Sequence, residues 1–171
     1  MAMAKTATLW CAMALVLTCV RTGAAGEAVD ALQNRAQGGA ADAQYCLGVL
    51  YEAGALLDLP RDHGEAAHWF LRAAEQGHPY AQISLGHLYS QGLGVLRNDI
   101  QALSWLEIGA AAAQGPPRTA AKATRDLLIR RMPLEEILES QRTRRAWMTA
   151  HGQLAASSTV GGPVVAVTTA P

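Results

Sequence analysis

A chain of 171 residues is long enough for one domain of ordinary size, and its 50% hydrophobic content excludes a wholly disordered protein. Fourteen basic side chains balance fourteen acidic ones, so no global field points to nucleic acid as a partner. Aromatic residues make up only 5%, which favours closely packed, alanine-lined helices over a thick globular core.

In chain order, Lys5 precedes an apolar run from Ala7 to Val20, Arg21 closes it, and Thr22 to Gly26 are small. This order predicts a secretory signal over residues 1–25, cleaved after Ala25. The apolar run is shorter than the roughly 20 residues a spanning helix requires, so an N-terminal membrane anchor is the alternative rather than the first choice. A lipid on Cys19 is a further alternative, against which the bulk of Thr18 counts. Removal of the signal leaves Cys46 as the only cysteine and allows no disulfide within the mature chain. With no Lys, Arg or His beside it in sequence, Cys46 reads as a small buried hydrophobe. The expected location is the periplasm or cell envelope, without a stable membrane span after cleavage.

Glu27 to Gln37 reads as a helix with Val29, Leu32 and Ala36 on one face, ended by Gly38 and Gly39. Ala40 to Glu52 forms the next, stopped at Ala53 and Gly54. Asp62 and Glu65 make a capping-box pair that opens a helix through Ala66, Trp69, Phe70 and Ala73, which closes at Gly77. His78 and Pro79 then start a helix over Ala81 to Ser90, and Gly92 to Val95 turns the chain. Asn98, Gln101, Ala102 and Trp105 follow where Asp62, Glu65, Ala66 and Trp69 stood. After Pro116 and Pro117, helices over Arg118 to Arg131 and Leu134 to Ala150 are expected to cover the stack. Arg142, Arg144 and Arg145 read as a solvated face near the C-terminus of the second of these, complementing its dipole. Uncharged residues 152–171 read as a disordered tail.

The chain contains one stretch twice. Ala43 Gln44 Tyr45 Cys46 Leu47 Gly48 Val49 Leu50 Tyr51 returns 38 positions later as Ala81 Gln82 Ile83 Ser84 Leu85 Gly86 His87 Leu88 Tyr89. The second halves of the two units are offset by 36, which places two extra residues within Ala55 to Leu59. Such a period marks a solenoid, whose units bury their apolar faces only against neighbours. With the trailing Asp62, Ala66, Trp69, Ala73, Ala74 and Gly77, and with Gly92, Ala102, Trp105 and Ala110, the pattern resembles the Sel1-like repeat family, relatives of the tetratricopeptide repeats. Asn98 for the usual Asp and Gly109 for the first alanine of the pair are departures.

The resemblance implies an all-α, short α-solenoid of antiparallel helix pairs within residues 26–151. It has an N-terminal half-repeat, repeats at about 40–77 and 78–115, and a C-terminal helical cap over 117–151. It also implies a protein-binding adaptor whose concave side is lined by the first helix of each pair. The shared residues Ala43, Leu47, Gly48, Tyr51, Ala81, Leu85, Gly86, Tyr89, Trp69 and Trp105 sit at core spacing. The positions that differ between units, Tyr45, Val49 and Glu52 against Ile83, His87 and Ser90, are the candidate face for a protein or peptide partner.

Catalytic signatures such as HExxH, GxSxG, GxxxxGK and a paired-cysteine metal site do not occur. His63 and His68 are five apart, which misses the i, i+4 geometry of a zinc helix. The expectation is therefore a non-catalytic adaptor needing no cofactor or metal. The alternative is an envelope hydrolase of β-lactamase-like or peptidoglycan-related type, since cysteine-rich Sel1-like proteins have been associated with β-lactams. This chain has neither their repeated cysteines nor a serine with a lysine three positions on.

Overall fold

A computed structural model describes residues 25–54 and 60–158, and among these the chain forms seven α-helices and no strand. They are α1 (Ala25–Gln37), α2 (Ala41–Ala53), α3 (His63–Glu75), α4 (Pro79–Gln91), α5 (Asp99–Ala112), α6 (Gly115–Arg131) and α7 (Leu134–Ser158). The expectations for the signal, for the two extra residues between Ala55 and Leu59, and for the tail beyond Ser158 lie outside the described residues.

The repeat in sequence is a repeat in backbone geometry. Asp62 and Asn98 open α3 and α5 from almost the same conformation, φ −142° and ψ 104° against φ −148° and ψ 102°. Each side chain accepts from the first turn: Asp62 Oδ1 from the N–H groups of Gly64 and Glu65 at 2.8 and 3.0 Å, Asn98 Oδ1 from that of Gln101 at 3.0 Å. Asn therefore replaces Asp as the cap, because either oxygen satisfies a helix-start donor, although Asn98 accepts one N–H where Asp62 accepts two. The N–H of each cap residue also donates to the tyrosine in the last turn of the preceding helix, Asp62 to Tyr51 O and Asn98 to Tyr89 O, both at 3.0 Å.

Helices within a unit touch closely where glycine removes the side chain. A Cβ on Gly48 would lie 2.6 Å from the Phe70 ring, and one on Gly86 would lie 2.8 Å from Leu106 Cγ. Gly109 has the same cause: a Cβ there would come within 2.7 Å of Pro79 O, so the second unit needs glycine where the first tolerates Ala73.

Successive units are joined by buried glutamines. Gln44 Nε2 donates to Ala36 O at 2.9 Å and Gln82 Nε2 to Ala74 O at 3.1 Å, so each first helix holds a carbonyl at the end of the helix before it. Gln76 Nε2 adds a bond to Gln44 Oε1 at 2.6 Å. The tryptophans reach back in the same sense. Trp69 packs with Leu32 and Ala36 of α1 and Leu47 and Leu50 of α2, and Trp105 packs with Ala66, Phe70 and Ala73 of α3 and Leu85 and Leu88 of α4. Val29, Leu32 and Ala36 bury α1 as expected for a half-repeat, and half-buried Cys46 packs in the same layer.

The C-terminal helices depart from a plain cap. In α6, Ala121 and Leu128 are as buried as Ala81 and Leu88 and keep their spacing of seven, so α6 takes the place of a first helix against α4 and α5. Arg131 at its end bonds Asp99 at the start of α5, at 2.8 and 2.9 Å. Burial would raise the Asp99 carboxyl, but the guanidinium groups of Arg97 and Arg131 outweigh it and hold the group below the usual range. Helix α7 packs on α5 and runs back along it. Ser104 Oγ meets Ser140 O at 3.0 Å, Arg144 reaches Glu107 at 3.3 Å, and Trp147 meets Trp105 edge-on at 5.9 Å. His151 stacks on Trp147 and places a ring nitrogen 2.6 Å from Glu75 O, at the end of α3. The helix continues to Ser158, which corrects the expected end at Ala150 and the start of the tail at residue 152.

Trp69→Ala should destabilise the fold by about 3 to 5 kcal/mol, the range for truncating a buried tryptophan. Chemical denaturation checks this, and a midpoint equal to that of the unmodified chain would refute the inter-layer role of Trp69.

Candidate functional site

The face made by the first helices carries one cluster of half-buried aromatic rings at the junction of the two units. Tyr45 projects from α2, while His78 and Tyr80 flank the start of α4. The Tyr45 and His78 rings stack at 4.6 Å, Tyr80 lies 5.9 Å from His78 and 6.2 Å from Tyr45, and buried Phe70 backs Tyr45 at 5.8 Å.

Local backbone geometry places these rings. His78 is the N-cap of α4, and its Nδ1 accepts from the N–H of Ala81 at 3.1 Å. Its counterpart Ala40 has the same conformation, φ −67° and ψ 112° against φ −67° and ψ 111°, but makes no side-chain cap. Pro79 follows at the first helical position, where its missing N–H costs nothing. His78 Nε2 lies 3.4 Å from Oδ1 of exposed Asp42 on α2. One imidazole thus caps its own helix, stacks on the preceding unit and faces an acid there. Burial pushes its pKa down, while Asp42 and a backbone hydrogen bond push it up less strongly, so the neutral ring predominates.

The six residues expected to form the binding face divide. Tyr45, Glu52, His87 and Ser90 are half-buried, whereas Val49 and Ile83 are each only 4% exposed and belong to the core. Their variation between units reflects local packing, and neither side chain can be offered to a partner. Glu52 sits in the last turn of α2 toward Arg61 and His63. Burial raises its carboxyl pKa, and the charges of His63 and Arg61 lower it less strongly. Burial alone lowers the pKa of His87. Ser90 Oγ donates to His87 O at 2.8 Å, so it serves its own helix.

Only Tyr45 of the six enters the aromatic cluster. Its partners His78 and Tyr80 escaped the comparison of units, because their counterparts Ala40 and Asp42 are not aromatic. The signal was available one turn earlier: Tyr80 precedes Ile83 and His87 by three and seven, the spacing of one helical face. Ala43, Leu47, Ala81 and Leu85 are buried, Tyr51 and Tyr89 pack at the core margin, and Gly77 and Gly92 turn the chain with φ of 85° and 72°. Among the described residues no group of three or more His, Cys, Asp or Glu could hold a metal, and no helix is long and apolar enough to cross a membrane.

The family model described as Sel1 repeat matches residues 41–78 and 79–114, so the chain carries two Sel1 repeats. A component of an ERAD-associated E3 ubiquitin-protein ligase from Arabidopsis thaliana, HRD3A, is 43% identical over 72 residues, which is 42% of this chain and 10% of that protein. The chitin synthase regulator SKT5 of Saccharomyces cerevisiae is 44% identical over 57 residues, 33% of this chain and 8% of its own length. The chain therefore spans about a tenth of these relatives. Among solved structures, a protective antigen present in uropathogenic Escherichia coli strains, displaying an SLR fold, superposes with a TM-score of 0.65 at 24% identity, over 84% of this chain and 30% of that one. A Sel1 repeat protein from Oxalobacter formigenes gives 0.53 at 34% identity, over 57% and 72%. These likenesses establish a helical repeat solenoid.

Protonation of His78 at Nδ1 would remove the acceptor that Ala81 uses. Because its folded pKa is depressed, the unfolded chain takes up the proton first. The stability that neutral His78 supports is thus present above the ordinary histidine range, near 6.5, and falls as pH drops through the folded pKa. Glu52 acts in the opposite sense on acidification, so the readout must be a difference between variants. In His78→Asn, a non-titrating cap, the melting temperature should fall less between pH 7.5 and pH 5 than in the unmodified chain. Parallel pH profiles would refute the role of His78.

Proposed function

We propose that the two Sel1 repeats act as a rigid, non-catalytic scaffold of the cell envelope that holds a protein partner against the Tyr45, His78 and Tyr80 cluster. The observation that carries this reading is the cluster itself. Three aromatic rings from consecutive units are partly solvent-exposed, on the face of the first helices, and fixed by stacking and a helix cap. Tyrosine offers a large apolar face with a polar tip and few rotamers to freeze, which suits recognition. The rings take no formal charge when His78 is neutral, and Asp42 supplies one carboxylate at the edge. This chemistry fits an extended peptide that lays an apolar side chain on the tyrosines and turns a donor toward Asp42.

Sel1 repeat proteins are generally protein-interaction scaffolds, and both curated relatives are named as accessories to another protein, one a ligase component and the other a synthase regulator. Those roles belong to proteins of which the matched segment is about a tenth, and they supply only the general kind of activity. The envelope location rests on the signal-like order of residues 1–25.

A photo-crosslinking amino acid at Tyr80 in intact cells should capture a defined partner that the same probe at exposed Glu65 on α3 does not. Tyr45→Ala with Tyr80→Ala should lower recovery of that partner roughly tenfold or more, as for loss of an aromatic hot spot, with the helical content retained. Equal capture from both probe positions, or full recovery by the double variant, would overturn the assignment.

A further inference from the structure

Helix α7 carries an apolar stripe and a division of charge that packing within one chain uses only in part. Its inner face, Ile137, Ser140, Arg144, Trp147 and His151, is turned toward α5 and the end of α3. Beside that face runs a second stripe, Leu134, Leu138, Gln141, Arg145 and Met148, with spacings of four and three in alternation. Its apolar members are exposed, Leu134 at 70%, Leu138 at 44% and Met148 at 51%. Alternating four and three is the spacing of a helix-pairing seam, and Leu134 and Leu138 stand uncovered one turn apart on it.

Charge is divided along the same helix. Glu135, Glu136 and Glu139 precede Gln141, and Arg142, Arg144 and Arg145 follow it. The helix runs on to Ser158, so the arginines lie mid-helix, out of reach of the terminal dipole that would otherwise account for them. Within the chain Arg144 pairs with Glu107 and Arg142 with Glu139, while Arg145 is exposed on the seam.

We infer that this stripe is a self-association surface, on which α7 pairs antiparallel with α7 of a second copy. Opposed directions lay the acidic half of each helix against the basic half of the other, and a two-fold axis near Leu138 and Gln141 repeats that match at both ends. Leu134 then packs along the aliphatic stem of the copy's Arg145, and Leu138 meets the copy at the axis. A parallel pair would set glutamates on glutamates and arginines on arginines, so the charge order selects the direction. The surface is separate from the aromatic cluster, and the pairing holds or fails independently of the partner proposed there.

The test uses the full chain in cells with a photo-crosslinking amino acid at Gln141. Irradiation should give a product of twice the chain's mass, and Leu138→Glu should reduce it by about tenfold or more, the loss of roughly 1.4 kcal/mol or more of pairing. Glu135→Lys with Glu139→Lys, and Arg142→Glu with Arg145→Glu, should each lose the product alone and regain it when the two differently tagged variants are co-expressed. Circular dichroism melts confirm folding, and Leu138→Gln replaces Leu138→Glu if the latter melts early. Three outcomes would overturn the pairing: no double-mass product from the unmodified sequence, a product indifferent to substitution at Leu138, or folded charge variants that fail both alone and together.

Discussion

The distance between the two helices of each unit is the constraint on which the rest of the structure depends. At Gly48 and Gly86 the facing helix lies so close that a single methyl group would enter the Phe70 ring or the Leu106 side chain. Interiors of this density cannot absorb such a volume without displacing backbone. The close approach brings Phe70 under Tyr45, which is then available to stack on His78 of the following unit. An inter-helix spacing set by glycine is thus transmitted through two aromatic contacts to the exposed cluster.

Linkage between units follows a different rule. A solenoid has no sheet to tie its layers, so side chains that reach from one helix to the end of the helix before it must do so. Gln44 and Gln82 supply donors from the next unit, buried where water cannot compete. Ala36 O and Ala74 O already accept from Gly39 and Gly77 in their own turns, so each glutamine adds a second donor to a bifurcated acceptor, and without that bond its own buried amide would go unpaired at a cost of about 1 to 3 kcal/mol. The same bonds fix the rotation of one unit on the next and so set the separation of Tyr45 from Tyr80.

Much of this was legible in the sequence, because periodicity reports local conformation. The recurrence of Leu-Gly and of the tryptophans, the cap residues Asp62 and Asn98, and the glycine turns mark helices and their pairing without reference to neighbours. Properties that depend on the neighbour were read less well. Val49 and Ile83 vary between units as an exposed face would, yet they are buried, since differing partners across the interface permit differing side chains. His78 and Tyr80 have no aromatic counterparts in the first unit, so a comparison that looks for matched positions passes over a site built at the junction of the units. The end of α7 was missed because Gly152 reads as a helix stop, whereas the helix-favouring Gln153, Leu154, Ala155 and Ala156 carry it on to Ser158.

Helix α7 shows how the terminal unit can differ in kind from the units it follows. A second helix in the repeat pattern would pack on α6, but small Ser104 and Ser140 let α7 lie directly on α5, where Trp147 fills the space beside Trp105. From there it reaches Glu75 O at the end of α3, so one helix bridges both units and opposes their separation. Crossing the units in this way has a geometric consequence for its other faces. A helix laid over the stack, instead of closing its end, has only its inner stripe covered, and the apolar stripe beside it stays open along much of the helix. The charge division about Gln141 runs along that open stripe. The fold that secures the two repeats therefore also presents, among the described residues, a long patterned surface that lies away from the aromatic cluster.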